Sequence, residues 1–208
     1  MVLINQYIYS KMLIKEHNFL VPLDYNNEED KNISIFAREI VDEEYGNKGL
    51  PYLIFFQGGP GYESPRPITN SGWIKKANQK YRILLLDQRG TGLSTPISQE
   101  SLSGMDDEGI AKYLTFFRAD NIVRDAERIR DNLIKDGKWS VLGQSFGGFC
   151  ATHYLSFYPN SLDQVFITGG LPPLKAHPDD IYRATYKRVI EKNKLLYKIF
   201  PHAKKNAR

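Results

Sequence analysis

Residues 141 to 149, Val-Leu-Gly-Gln-Ser-Phe-Gly-Gly-Phe, place Ser145 in a Gly-x-Ser-x-Gly frame directly after an apolar run. This frame is typical of a nucleophile elbow, a sharp turn between a strand and a helix. Such a turn strains the backbone of the serine, and Gly143 and Gly147 permit the close packing around it because they lack a Cβ. Ser145 is therefore a candidate nucleophile. The backbone N–H of Phe146, at the start of the following helix, can donate to a developing oxyanion.

A second candidate element follows the apolar strand predicted for Tyr52–Phe56, where the chain reads Gln57-Gly58-Gly59-Pro60-Gly61. A loop of this composition exposes backbone N–H groups and few side chains. Pro60 has a fixed φ and restricts the conformation of Gly59 before it. We expect the N–H of Gly59 to be the second oxyanion donor, with Gly58, Pro60 and Gly61 shaping the site.

A third motif follows the apolar run Tyr81–Leu86 and reads Asp-Gln-Arg-Gly-Thr-Gly-Leu-Ser over residues 87–94. A charged turn with glycines is typical of the place where a parallel strand leaves a sheet. A structural role is therefore favoured over a catalytic one for this turn.

These three motifs, in this order, resemble the proline iminopeptidase (prolyl aminopeptidase) branch of the α/β-hydrolases. The stretch Phe117–Glu127 also resembles the helix that precedes the nucleophile strand in that family, and the matches together span about Pro22 to Ile181. Many members carry His where Gln57 stands here. Because the hole is built from backbone, we expect this departure to change local hydrogen bonding more than chemistry; it also suggests the larger, second type of prolyl aminopeptidase.

The resemblance implies a serine peptidase that releases N-terminal proline from peptides. Ser145 would attack the carbonyl carbon, a histidine would take its proton, and an acid would orient that histidine. In this fold the acid and the histidine follow the serine along the chain, on loops after later strands. The sequence stops before such strands appear, so we expect an N-terminal fragment without the triad acid and histidine. Loss of the triad removes on the order of 10⁶ in kcat, so the activity of this chain itself is in doubt.

The chain contains four histidines that could in principle serve as the triad base. His17 lies far upstream, and His153 lies on the helix after the elbow, facing away from Ser145 if that helix is regular. Downstream, Asp179 or Asp180 followed by His202 satisfies the order of a triad, and His177 also remains. The favoured interpretation is that Pro178-Asp179-Asp180 starts a helix that runs to about Phe200, with acids at the positive end of its dipole.

Strand and helix patterns alternate along the chain, which predicts a mostly parallel, doubly wound sheet. Two antiparallel strands are expected at the N-terminus, over 2–14 and 33–41, and helical periodicity is expected over 68–78 and along a stripe from Ile122 to Leu133. We expect residues 1–172 to form a partial α/β-hydrolase core. By resemblance, residues 173–208 begin the helical cap, whose acidic residues recognise the free amino group of the substrate in that family.

Composition bounds the possible partners. The chain has 208 residues, of which 41% are hydrophobic, and a net charge of +4. Eight Lys or Arg against one Glu lie within residues 187–208, and such a run is more often a solvated helix face than a nucleic-acid site. The single cysteine, Cys150, excludes an intrachain disulfide and is expected to be buried packing. No Cys or His spacing suggests a metal, and no cofactor is expected.

Residues 1–9 lack the basic region and cleavage site of a signal peptide, and no apolar run reaches the ~20 residues of a membrane span. A cytoplasmic protein acting on peptides, without nucleic acid or membrane, is expected; the oligomeric state is left open. Two alternatives remain: another esterase on the same scaffold, and a non-catalytic truncated product.

Overall fold

A computed structural model describes residues 1–29, 31–46, 48–171 and 175–203. The chain divides into two compact units, Met1–Leu171 and Pro172–Arg208.

The first unit is built on one mixed sheet of seven strands, arranged in the order β1-β2-β3-β5-β4-β6-β7. The strands are β1 (Val2–Tyr9), β2 (Met12–Pro22), β3 (Asn32–Asp42), β4 (Tyr52–Phe56), β5 (Arg82–Leu86), β6 (Trp139–Gln144) and β7 (Leu162–Thr168). Pairing from β1 through β3 to β5 is antiparallel. The strands β5, β4, β6 and β7 pair in parallel.

Four helices of the first unit cover this sheet: α1 (Gly72–Ala77), α2 (Asp107–Thr115), α3 (Ala119–Ile134) and α4 (Phe146–Phe157). The larger core lies on the face covered by α3 and α4, where Ala126, Ile129 and Tyr154 pack against the strands. On the opposite face Ile74 of α1 packs against Phe55 and neighbouring strand residues. Central strands buried on both faces require continuous apolar runs, and β4 and β5 have them. The predicted α/β fold, with antiparallel N-terminal strands beside parallel ones, is confirmed.

Several boundaries differ from the sequence prediction. The segment expected as one strand over 2–14 is a hairpin, because Ser10 and Lys11 adopt left-handed φ values of 52° and 61° and reverse the chain. The turn dipeptide here is Ser-Lys, and it differs from the Asn-Gly pair that commonly marks such turns. The helix expected over 68–78 is limited to α1, and α2 was not predicted, although Asp106 caps it by accepting from the N–H of Gly109.

The second unit contains one helix, α5 (Pro178–Ile199), among its described residues. Pro178 occupies the first turn, and the N–H of Asp179 donates to Nδ1 of His177 at 3.3 Å. This agrees with the helix expected from Pro178-Asp179-Asp180 to about Phe200. Across the described parts of both units, no helix is long and apolar enough to cross a membrane.

Candidate active site

Ser145 lies between the end of β6 and the first residue of α4, at the carboxyl edge of the parallel strands. Its φ of 53° lies in the left-handed region, which costs a residue with a Cβ of order 1–3 kcal/mol and persists only where surrounding contacts enforce it. The N–H of Ser145 donates to the carbonyl oxygen of Thr168 at 2.9 Å, which ties the turn to β7. The hydroxyl makes no capping bond to α4, and the residue is exposed.

Glycines hold this turn against its neighbours. A Cβ on Gly143 would lie 2.2 Å from the carbonyl oxygen of Gly147, and a Cβ on Gly147 would lie 2.0 Å from the carbonyl oxygen of Phe56. A Cβ on Gly170 would lie 2.0 Å from the carbonyl oxygen of Ser145, and Gly148 packs against the Cα of Gly170. The elbow is therefore enclosed by backbone on several sides.

The loop after β4 lies beside the serine. A Cβ on Gly58 would be 3.0 Å from the Cβ of Ser145 and 3.7 Å from its Oγ, so only glycine fits without displacing the serine side chain. Gly59 and Gly61 have φ values of 130° and 97°, which residues with a Cβ rarely adopt. The structure thus brings the start of this backbone loop close to the Ser145 hydroxyl.

Gln88 connects the third motif to this loop. Its Nε2 donates to the carbonyl oxygen of Gln57 at 3.1 Å, and its side chain is buried. The bond anchors the residue immediately before Gly58. The motif at 87–94, expected to be structural, therefore reaches the candidate site through one side chain.

Asp87 organises the same turn from within. Its carboxylate accepts from the N–H groups of Ser64 and Leu93, both at 2.9 Å. Burial is the main influence and raises the pKa of Asp87, while these two N–H groups oppose it. Gly92 comes so close to this carboxylate that an added Cβ would overlap it.

Arg89 belongs to the same turn. Its side chain is fully buried and pairs with Asp125 of α3. Its Nε and Nη2 donate to the two carboxylate oxygens at 2.7 Å and 2.6 Å. Its remaining N–H groups donate to the carbonyl oxygens of Pro22, Leu23 and Phe116. All the guanidinium nitrogens are therefore engaged, and the third motif is held to α3 and to the end of β2.

An apolar cavity of about 190 Å³ opens between these elements. Pro60 and Gly61 line it from the candidate oxyanion loop, and Phe146 lines it from α4. Ile97 and Phe117 contribute further apolar walls. The cavity can therefore accommodate a compact apolar group beside the loop.

The histidines of the first unit are engaged away from Ser145. His17 is buried on β2, with Nε2 at 3.1 Å from the carboxylate of Glu39. His153 lies eight residues beyond Ser145 on α4, about 12 Å along the helix axis, and stacks on Phe157. His177 caps α5 in the second unit, and His202 follows that helix, outside the strand-to-loop context of a triad.

Cys150 is fully buried, as predicted, and burial raises the pKa of its thiol to about 12. A thiol with this pKa is protonated at neutral pH and is a poor rival nucleophile. Within the described ranges, His, Cys, Asp and Glu side chains form no group that could hold a metal ion.

Three residues of this site were not predicted from the sequence: Gly148, Gly170 and Gln88. The first two belong to Gly-Gly pairs in the sequence: 147–148 lies in the predicted elbow, and 169–170 directly follows the next predicted strand. Gln88 had no local signal, because its partner Gln57 lies 31 residues away along the chain.

Comparison with known proteins places this geometry in context. Residues 51–201 match the family of the alpha/beta hydrolase fold. The chain is 50% identical over 198 residues to a proline iminopeptidase of Aeromonas sobria, covering 95% of this chain and 47% of that protein. It is 39% identical over 203 residues to a proline iminopeptidase of Aspergillus aculeatus, covering 92% of this chain and 44% of the relative.

The chain thus spans about half the length of the curated relatives it matches. Among solved structures, epoxide hydrolase VrEH1 from Vigna radiata is similar with a TM-score of 0.52, 18% identity, and coverage of 83% of this chain and 47% of that one. At that identity the likeness shows the fold alone. The family match, the two relatives and the elbow geometry agree: the chain belongs to the α/β-hydrolase fold family and, within it, to the proline iminopeptidase family.

Proposed function

We propose that Ser145 is the nucleophile of a serine peptidase that releases N-terminal proline from peptides. The observation that carries this proposal is the strained, exposed Ser145, with its hydroxyl free of capping bonds and the Gly58–Gly61 backbone beside it. The relatives called proline iminopeptidases supply the substrate class.

In this proposal the Ser145 hydroxyl attacks the carbonyl carbon of the N-terminal proline, and the oxygen of that carbonyl becomes an oxyanion. Phe146 donates its backbone N–H to the oxyanion, because the first N–H groups of a helix have no acceptor within it. Gly59 is the second donor. The peptide leaves as an amine, and water then releases proline from the acyl-enzyme.

A nucleophilic serine of this kind needs a base. Neither His17 nor His153 is placed to serve, and His177 and His202 lie outside the strand-to-loop context of a triad. We therefore assign the triad acid and histidine to sequence beyond these 208 residues, which span 47% and 44% of the two proline iminopeptidases compared above. Residues 173–208 would then begin the helical cap of such a peptidase. A cytoplasmic location, a peptide rather than a nucleic-acid or membrane partner, and the absence of a cofactor complete the proposal.

The test is labelling with a fluorophosphonate probe, using the protein in the length that its natural source makes. We expect Ser145→Ala to abolish labelling and to lower kcat for a proline amide by about 10⁶. Ser156→Ala is the matched control, since Ser156 is an exposed serine on the same helix whose hydroxyl bonds only to the carbonyl of Thr152. Labelling that survives in Ser145→Ala would overturn the proposal.

Two further outcomes separate the parts of the proposal. Hydrolysis of short acyl esters without hydrolysis of proline amides would leave Ser145 as nucleophile and replace the peptidase by an esterase. An intact mass that corresponds to these 208 residues alone would contradict the assignment of the acid and histidine to further sequence.

A further inference from the structure

The first strand of the sheet is an open edge. In the sheet order β1 pairs with β2 on one side, and within the described chain no strand pairs with its other side. All eight residues of β1 are exposed, and Val2 and Ile8 are 64% and 59% exposed. The outer row of backbone N–H and C=O groups is therefore available to another strand.

This edge lacks the charges that usually prevent strands from pairing. Proteins commonly protect edges with charged side chains, and the opposite edge strand, β7, carries Asp163. The sequence of β1, Val-Leu-Ile-Asn-Gln-Tyr-Ile-Tyr, contains no charged residue. A second strand could lie against it without bringing like charges together.

The order of side-chain types along β1 is also nearly the same from either end of the strand. Three apolar residues, two amides and three apolar or aromatic residues follow one another from Val2 to Tyr9. An antiparallel copy of the same strand would therefore face apolar residues with apolar residues and amides near amides. Cross-strand pairs of this type stabilise the pairing of two strands.

The irregularity between Leu3 and Asn5 makes this pairing geometrically consistent. Because of it, Val2 and Tyr9 lie opposite Asn18 and Met12 and share one face, while Leu3 and Ile8 share the other. In an antiparallel pair, opposed residues must point to the same face. A two-fold axis at Gln6 then sets Val2 against Tyr9, Leu3 against Ile8, and Gln6 against Gln6 of the second copy.

We propose that β1 is a dimerisation edge, at which a second copy of this chain adds its own β1 in antiparallel orientation. The contact is isologous and closes on itself, so it yields a dimer with a continuous sheet of fourteen strands, not a fibre. It concerns a surface remote from Ser145 and does not depend on the proposed activity.

A cavity beside β1 fits this occupant. Its volume is about 280 Å³, and its lining is mainly apolar, from Tyr7, Tyr9, Ile14, Pro67 and Ile68, with Arg38 and Arg66 also in its wall. The cavity lies on the face of the sheet that carries Tyr9. In the proposed dimer, Val2 of the second copy lies opposite Tyr9 on that face. The cavity can therefore receive an apolar side chain from the partner strand.

The first test is the oligomeric state of the purified full chain by analytical ultracentrifugation. We expect a dimer whose dissociation constant rises at least tenfold in Leu3→Lys, since that change puts a lysine into an apolar pair twice per dimer. Leu20→Lys is the matched control, because Leu20 is exposed on β2 beyond the part that pairs with β1. A monomer, an open-ended oligomer, or equal weakening by both changes would overturn the proposal.

A second test addresses the axis. Mild oxidation of Gln6→Cys should produce a covalent dimer, whereas Leu20→Cys should not, and the native Cys150 is buried and does not interfere. Thermal melts at a protein concentration at which every variant is monomeric should match the wild type, because β1 and Leu20 are exposed. A dimer in which residue 6 fails to crosslink would contradict the two-fold pairing at Gln6.

Discussion

At the scale of single residues, Ser145 is the clearest case in which local backbone strain and a candidate function coincide. Its left-handed φ is unfavourable by itself, so the turn depends on neighbours that hold it in place. Those neighbours are backbone atoms, since Gly143, Gly147 and Gly170 all approach carbonyl oxygens too closely for a Cβ. The elbow is consequently intolerant of even one added methyl group.

Gly147→Ala tests this intolerance. The new Cβ would lie 2.0 Å from the carbonyl oxygen of Phe56, and rigid backbone cannot yield as a flexible side chain can. Alanine is intrinsically better than glycine in a helix by about 1 kcal/mol, so the overlap must outweigh that gain. We expect the free energy of unfolding in urea to fall by roughly 1–3 kcal/mol.

Gly49→Ala is the control for that experiment, because an added Cβ at Gly49 meets no atom within 4 Å. It should change the unfolding free energy by no more than about 0.5 kcal/mol. Equal stability of Gly147→Ala and wild type would show that the elbow relaxes more easily than its contacts indicate.

At the scale of elements, Arg89 joins three parts of the first unit. Its guanidinium connects the turn after β5 to Asp125 on α3 and to backbone carbonyls at the end of β2. Tyr25 also donates its hydroxyl to Asp125 at 2.8 Å. This arrangement suits arginine specifically, because a lysine has three donors on one nitrogen and cannot reproduce a planar fork.

Arg89→Lys should therefore be costly although the charge is kept. We expect the unfolding free energy to drop by about 3 kcal/mol, since buried carbonyls and one carboxylate oxygen lose their partners. Arg128→Lys changes an exposed arginine paired with Glu28 and should cost less than about 1 kcal/mol. Urea unfolding of both variants checks the difference, and similar losses would argue against a special role for the buried fork.

At the scale of the whole molecule, Glu39 links the antiparallel and parallel parts of the sheet. Its carboxylate on β3 bonds to His17 of β2 at 3.1 Å and to Arg82 of β5 at 2.6 Å, and Lys15 lies 3.9 Å away. Burial by itself would raise the pKa of Glu39, but the hydrogen bond from His17 and the cations Lys15 and Arg82 outweigh burial and lower it. The folded state therefore favours the charged carboxylate.

This shift predicts how stability depends on pH. A carboxyl whose folded-state pKa is lowered adds stability above its unfolded pKa of about 4.5, and that contribution is lost as the pH falls through the lower folded-state pKa. Glu39→Gln should lower the unfolding free energy at pH 7 by about 3 kcal/mol, because Arg82 and His17 lose their buried partner. The difference in unfolding free energy between Glu39→Gln and wild type should become smaller below pH 4.5.

Denaturant unfolding of Glu39→Gln and wild type between about pH 3 and 7 measures how this free-energy difference changes with pH. About one measurement per half pH unit is sufficient. Glu100→Gln, at an exposed glutamate, serves as the control and should differ little from wild type at any pH. A constant difference between Glu39→Gln and wild type across this range would contradict the assigned pKa shift.

Prediction from sequence succeeded where the signal was local. The strand Tyr52–Phe56 was predicted with its observed bounds, because a short buried strand appears as a continuous apolar run. The stripe of Ile122, Ala126 and Ile129 is buried on α3, as its helical period indicated. The reversal at Ser10 and Lys11 was missed because both residues adopt an unusual φ that their identity does not announce.

By itself the sequence determined the fold class and the position of the candidate nucleophile, because apolar periodicity and glycine spacing act over a few residues. Only the tertiary structure decided which distant groups meet: Gln88 with Gln57, Arg89 with Asp125, and Gly170 with Ser145. It also showed that β1 forms an open edge. Such contacts join residues separated by tens of positions, and they exist only once the order of strands in the sheet brings those residues together.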